Sequence, residues 1–257
     1  GIVNHVASTR LAHFAHAPSA GRETPPFLSL NQTMNGPSMK LVFISYPKSG
    51  RTWMRYVFHL LSEVELRLTH AGYGTERSVL LHQKTFRGIN PKYLGDKNLF
   101  MHRNALDTAV SMYFQIHKHV FRGFKKKLKL DYLKSALRGK LPPRDIRSSV
   151  LHPALGVENI CKFNRAWLDY FSDNLPQCPI VTYEDAKDDL RRVINVFVDY
   201  LDLPETKVEE VLAKSGFSEM KKAELQGAPK ELKLYGMRSN DPDTMKVRKG
   251  VVRGYTE

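Results

Sequence analysis

Short apolar runs that end in a loop and hand over to segments of helical periodicity set the strongest limit on how this chain can fold. Leu41-Val42-Phe43-Ile44 is a run of strand formers, apolar on both faces, as a strand buried in a parallel sheet requires. The loop Ser45-Tyr46-Pro47-Lys48-Ser49-Gly50-Arg51 follows, and then Trp53, Val57, Leu60, Leu61 and Val64 recur at helical spacing. The pattern returns at Asn98-Leu99-Phe100-Met101, followed by a stripe of Leu106, Ala109, Val110, Tyr113 and His117. A further helix is marked by Ile160, Phe163, Trp167, Leu168 and Phe171. Pro179-Ile180-Val181-Thr182 reads as another strand, leading into Leu190, Val193, Ile194, Phe197 and Val198. Strands alternating with helices predict an α/β fold with a central, mainly parallel sheet flanked by helices. Right-handed crossovers then gather the loops after each strand on one edge, where ligands of such sheets bind.

The 257 residues suffice for one large domain, and a hydrophobic content of 42% supports a sizeable core. Residues 1–38 hold Pro18, Pro25, Pro26 and Pro37 with no sustained period, and read as an N-terminal arm or flap. The domain proper is expected over residues 39–257. Cys161 and Cys178 form neither a metal-ligand spacing nor a disulfide scaffold, so a reducing, cytoplasmic setting is expected. No apolar run reaches the length of a membrane span, and the first residues lack the pattern of a secretory signal. The formal net charge of +14 favours a polyanionic or phosphate-rich partner, against the alternative of a solubilising surface. Much of the excess lies between 118 and 147, which includes Lys125-Lys126-Lys127. That segment suits either a solvated basic face or an anionic acceptor.

The loop after the first strand has the chemistry of an anion cradle. A helix start presents backbone N–H groups without partners and a positive dipole end. Gly50 admits close approach of the backbone, Lys48 adds an ammonium, and Ser49 and Thr52 add hydroxyls. The triphosphate loop G-x-x-x-x-G-K-[ST] is absent, because the Lys here precedes the Gly. A second cradle follows the next strand. Arg103 offers a planar fork for a phosphate and Ser111, two helical turns on, offers a hydroxyl. The plainer alternative is a surface Arg103 with Asp107 capping its helix.

Tyr46-Pro47-Lys48-Ser49-Gly50-Arg51-Thr52-Trp53 closely resembles the 5′-phosphosulfate loop of the cytosolic-type sulfotransferases that use 3′-phosphoadenosine 5′-phosphosulfate (PAPS), written YPKSGTTW, with Arg51 as the one departure. The resemblance runs over about residues 40–254. It implies the P-loop-kinase-like, three-layer fold of that family, with Lys48 on the bridging oxygen and Trp53 stacked on adenine. Arg103 to Ser111 is similar to the family's R-N-x-x-D-x-x-x-S segment, which implies that Arg103 and Ser111 grip the 3′-phosphate. Arg248-Lys249-Gly250 resembles the segment that closes over the same phosphate. There Gly254 is displaced by one and the following Asp-Trp is missing. Family members usually continue past the point where this sequence ends. Thr182-Tyr183-Glu184-Asp185 and Ser215-Gly216-Phe217-Ser218-Glu219-Met220 resemble the adenine-pocket turns, which makes Tyr183, Ser215 and Phe217 base contacts by implication.

The implied reaction moves a sulfuryl group from PAPS to an acceptor hydroxyl or amine, leaving adenosine 3′,5′-bisphosphate, with no metal. Such a transfer requires in-line attack and neutralisation of charge on the leaving oxygen, which Lys48 can supply. A base of near-neutral pKa should take the acceptor's proton, and His suits that role. His82 lies 21 positions before Arg103, close to the spacing of the family's catalytic His. A different alignment lays Lys84-Thr85 on the family's K-T and puts Phe86, which cannot act as a base, in the His position. Two other classes stay open: a nucleotide-dependent small-molecule kinase, and a non-catalytic nucleic-acid-binding module. For the second, no recognisable signature arranges the basic and aromatic residues, so nucleic acid is not expected as a partner. The family's C-terminal dimer segment is not recognisable around Asp241 to Lys246, and the expected partners are PAPS and a small-molecule or saccharide acceptor.

Overall fold

The computed structural model describes residues 40–61, 66–69, 85–116, 143 and 145–225. Four parallel strands form one sheet in the order β2-β1-β3-β4: β1 Leu41–Ser45, β2 Leu66–Thr69, β3 Lys97–His102 and β4 Ile180–Thr182. Leu41 stands opposite Leu66 on one side and Lys97 on the other, and Phe100 opposite Ile180. Eight helices belong to the described residues: α1 Arg51–Leu61, α2 Ala105–Phe114, α3 Ile146–Val150, α4 Val157–Asn174, α5 Tyr183–Asp188, α6 Leu190–Leu201, α7 Val208–Ser215 and α8 Phe217–Leu225.

Strand alternation divides the core between the two faces of the sheet. Leu41, Phe43, Leu99, Met101 and Val181 point to one side. There they pack on Met54, Val57, Phe58 and Leu61 of α1 and on Val193, Ile194 and Phe197 of α6. Val42, Ile44 and Phe100 point to the other side, against Ala109 and Met112 of α2 and Ile160, Phe163, Trp167 and Phe171 of α4. Each fully buried side chain of this size contributes about 2 kcal/mol by leaving water, and both faces of β1 are sealed. The result is three layers, helix on sheet on helix, as the alternating pattern requires.

Three strands and the helices α1, α4 and α6 fall where the periodicity places them. The stripe on α2 is rotated, however. Asp107, Thr108, Ala109, Val110 and Met112 are buried, whereas Leu106 and Tyr113 are partly exposed. The rotation follows from a polar demand: Asp107 turns inward toward Arg103. The strand β2 has no counterpart in the sequence reading, because Leu66-Arg67-Leu68-Thr69 is four residues long with an Arg in its middle. The N-terminal arm 1–38, most of the basic segment 118–147, His117, His82 and Arg248-Lys249-Gly250 lie outside the described residues.

Candidate functional site

The loop from β1 to α1 is bent by its own backbone. Lys48 has φ 74° and Gly50 has φ 90°, two left-handed turns within three residues. Turns of this hand curl a chain so that successive N–H groups can face a common point, the geometry of an anion nest. The amide of Ser49 donates to the Tyr46 carbonyl at 3.2 Å and starts the curl. Gly50 is needed on two counts. Its φ is costly for any other residue, and a Cβ there would stand 2.8 Å from Cδ2 of Tyr183 and 3.1 Å from the Met101 sulfur. Ser49 is fully buried and its Oγ has no hydrogen-bond partner. The ammonium of Lys48 donates to Oε1 of Gln115, just past α2, at 3.0 Å.

Tyr46 fixes the loop from below. Its hydroxyl donates to the Ala154 carbonyl at 3.2 Å, and Nδ2 of Asn159 donates to the same carbonyl at 2.7 Å. Oδ1 of Asn159 accepts from the backbone N–H of Phe86 at 2.7 Å. The Phe86 ring packs edge-on against Phe163, 5.3 Å between centroids. Burial pushes the Tyr46 phenol well above its ordinary range, so it stays a neutral donor.

Arg103 stands at the end of β3, and its side chain is only 12% exposed. One Nη donates to the Lys48 carbonyl at 3.3 Å, and the other lies 3.9 Å from Oδ2 of Asp107. The guanidinium carbon sits 4.3 Å from the centroid of the Tyr183 ring. This is not a surface arginine, and the helix cap is not Asp107. Oδ1 of Asn104 accepts from the amides of Leu106 and Asp107 and closes the start of α2. The Asn104 amide in turn donates to Oε1 of Glu184 at 3.1 Å, joining the ends of β3 and β4. Burial raises the Glu184 carboxyl above its ordinary range, an effect that the Asn104 amide and Arg103 oppose. Burial also raises the Tyr183 phenol, while the neighbouring guanidinium pulls it back.

The aromatic part of the site is built on α1, α5 and the joint between α7 and α8. Trp53 meets Tyr183 edge-on, 5.7 Å between centroids. Its indole N–H donates to the Ser215 carbonyl at 2.8 Å. Ser215 is buried and its Oγ has no hydrogen-bond partner. Trp53 and Phe217 both rest on the buried Met220. The Lys187 ammonium stands 5.9 Å from the Trp53 ring centroid and 5.1 Å from that of Phe217.

The structure therefore brings Lys48, Ser49, Gly50, Trp53, Arg103, Tyr183 and Ser215 into one connected cluster at the C-terminal ends of β1, β3 and β4. Phe217 joins it through Met220 and Lys187. Arg51 and Thr52 open α1 directly beside the nest, and both are half-buried. Ser111 is linked to the cluster through its carbonyl, which accepts from the backbone of Gln115, the residue that holds Lys48. Sequence reasoning did not single out Gln115 or Lys187. Glu184 lay within the quoted turn, yet nothing in one dimension pointed its carboxylate at Asn104. Among the described residues no three His, Cys, Asp or Glu side chains converge as a metal site.

The sequence matches the family described as the sulfotransferase domain over residues 89–257, which takes in β3, α2, β4 and the helices that follow. Many solved structures resemble the fold, among them two bound to PAP. One is mouse sulfotransferase SULT7A1 complexed with PAP, at TM-score 0.51 and 18% identity over 86% of this chain and 78% of that one. The other is retinol dehydratase in complex with androsterone and inactive cofactor PAP, at TM-score 0.51 and 14% identity over 87% of this chain and 76% of that one. No curated protein matches the chain in sequence.

Proposed function

We propose, from the premise that this chain belongs to the sulfotransferase-domain family, that it is a sulfotransferase whose donor is PAPS and whose acceptor carries a hydroxyl or amine. The observation that carries the reading is the 3.3 Å bond from Arg103 to the Lys48 carbonyl. It ties two cationic residues, from the ends of different strands, to one edge of the sheet. A nucleotide phosphorylated at both its 5′ and 3′ positions matches such a pair. A nucleoside triphosphate would instead concentrate its charge at the first of them.

On this reading the amides of the β1–α1 loop, with Lys48, Ser49, Gly50, Arg51 and Thr52, hold the 5′-phosphosulfate. Arg103 and Ser111 hold the 3′-phosphate, with Arg248, Lys249 and Gly250 assigned to the same group by their motif. Trp53, Tyr183, Ser215 and Phe217 surround the adenine. The acceptor oxygen or nitrogen bonds to sulfur as the bond from sulfur to the 5′-phosphate oxygen breaks. His82 takes the acceptor's proton, and Lys48 neutralises the charge left on the departing bisphosphate.

Two features support His82 over the alignment that puts Phe86 in the base position. Phe86 packs its ring on Phe163 and is pinned through its amide to Asn159. His82 precedes that anchor by four residues in the sequence. Asn159 itself contacts the Tyr46 hydroxyl at 3.4 Å, so the anchor stands at the foot of the phosphate loop. Among the described residues no helix is long and apolar enough to cross a membrane.

A thermal shift with adenosine 3′,5′-bisphosphate, ATP and AMP tests the donor. At a hundredfold excess over Kd, a ligand specific for the folded state adds about 2.7 kcal/mol, which for a chain of this size raises Tm by roughly 5–10 °C. The bisphosphate should give that rise and ATP and AMP much less. A larger shift with ATP, together with Mg²⁺-dependent phosphorylation, would favour the kinase reading instead. A screen of hydroxyl and amine acceptors with PAPS then reads out turnover.

A further inference from the structure

We propose that Lys187 is a base-holding residue of the nucleotide site, its ammonium donating a hydrogen bond to a ring nitrogen of a purine lodged between Trp53 and Phe217. The assignment rests on the donor reading above and deepens it. Lys187 and Tyr183 are four residues apart on α5, so they share one face of that short helix. Tyr183 is the inner member, against Gly50, Trp53 and Arg103. Lys187, one turn further on, reaches the two rings that rest on Met220.

The surroundings of this lysine set it apart from other helix lysines. Lys162, Lys214 and Lys222 each bond a glutamate on their own helix at 2.6 Å. Among the described residues no carboxylate pairs with Lys187. Of the acids that follow it, Asp189 caps α6 through Arg192 and Asp188 is exposed. Lys187 is half-buried instead, and that burial lowers its pKa, with no opposing acid. An ammonium so placed keeps its three donors while its stem covers apolar surface.

The chemistry of a purine fits this arrangement. Its two faces are apolar and polarizable, and they suit the aromatic rings. Its edge carries unprotonated ring nitrogens that accept hydrogen bonds in the ring plane. A flexible donor at the mouth of an aromatic cleft meets that edge. Lys48 and Arg103 already stand at the two anion pockets, and Lys187 is the cation that stands at the ring pair.

Calorimetric titration of adenosine 3′,5′-bisphosphate and of AMP into the full chain tests this, using wild type, Lys187→Met and Lys187→Arg. Loss of a hydrogen bond from a charged donor should weaken both ligands in Lys187→Met by a similar factor, roughly tenfold. Lys187→Arg, which keeps a donor and a cation, should recover most of the loss. The ratio of the two affinities should stay at its wild-type value, because the 3′-phosphate that separates the ligands is held elsewhere. Unchanged binding in Lys187→Met would overturn the assignment. So would a loss confined to the bisphosphate, which would place the lysine on the phosphate rather than on the base. Failure of wild type itself to bind either nucleotide would overturn the donor reading, and this assignment with it.

Discussion

Lys48 and Arg103 stand at the ends of β1 and β3, and the protein holds them in opposite ways. Arg103 is gripped on three sides, by the Tyr183 face, the Lys48 carbonyl and Asp107, with little of its side chain exposed. A guanidinium so fixed can recognise a phosphate but cannot follow one. Lys48 sits on a left-handed backbone turn and extends a flexible chain to the neutral carboxamide of Gln115. An ammonium on such a stem can exchange that amide for an anion as charge develops nearby. On the proposed function, the difference amounts to a division of labour: the rigid arginine would select the ligand, and the adjustable lysine would serve the chemistry.

The sharpest way to break this division is Lys48→Met. Turnover with PAPS should fall by about a thousandfold, the scale of losing a donor aimed at developing charge. The Kd for adenosine 3′,5′-bisphosphate should change far less. Equal losses in steady-state rate and calorimetric affinity would show that Lys48 anchors the ligand as Arg103 does. The converse variant, Arg103→Met, should weaken the bisphosphate by roughly a hundredfold, the scale of a charge-assisted hydrogen bond. It should leave AMP almost unaffected, so a parallel loss of both ligands would contradict a pocket selective for the 3′-phosphate.

Gly50→Ala probes the backbone that separates the two cations. With φ at 90° and Tyr183 at 2.8 Å from the new methyl, the cost should be about 1–3 kcal/mol, read as a lower urea midpoint with an unchanged m-value. No loss of stability would mean that the loop relaxes freely and the curl is not imposed by its neighbours. The smallest effect is expected from His102, which lies beside Arg103 and stacks on Phe100 at 5.8 Å. Burial lowers its pKa, against a weaker upward pull from Asp185. The folded state therefore favours neutral imidazole. Its contribution to stability is whole above the unfolded-state pKa near 6.5 and is lost as pH falls below it. His102→Gln should flatten the acid side of a stability–pH curve measured by denaturant titration, and an unchanged slope would exclude this source.

Legibility in the sequence was uneven, for physical reasons. Strands β1 and β3 are readable because both their faces are buried, which forces continuous apolar runs. β2 carries Arg67 in a run of four and leaves no such trace. The β1–α1 loop is readable as a candidate anion cradle because its features are local: a glycine, a lysine and a helix start within a few residues. Arg103 stood out in the sequence as a candidate fork, but its orientation depends on Tyr183, eighty residues away, and on the inward turn of Asp107. Gln115 and Lys187 escaped because a glutamine at a helix end and a lysine in an acidic turn are ordinary in one dimension. Only the packing of α2 and α5 against the loop puts them beside Lys48 and the aromatic pair.

The placement of the two tryptophans has a practical consequence. Trp53 is partly exposed, with its indole N–H tied to the α7–α8 joint, while Trp167 is sealed in the α4 layer on the opposite face of the sheet. The chain has no other tryptophan. It thus carries an intrinsic optical reporter at the proposed nucleotide site and, in the same molecule, an interior fluorophore shielded from solvent that serves as its reference.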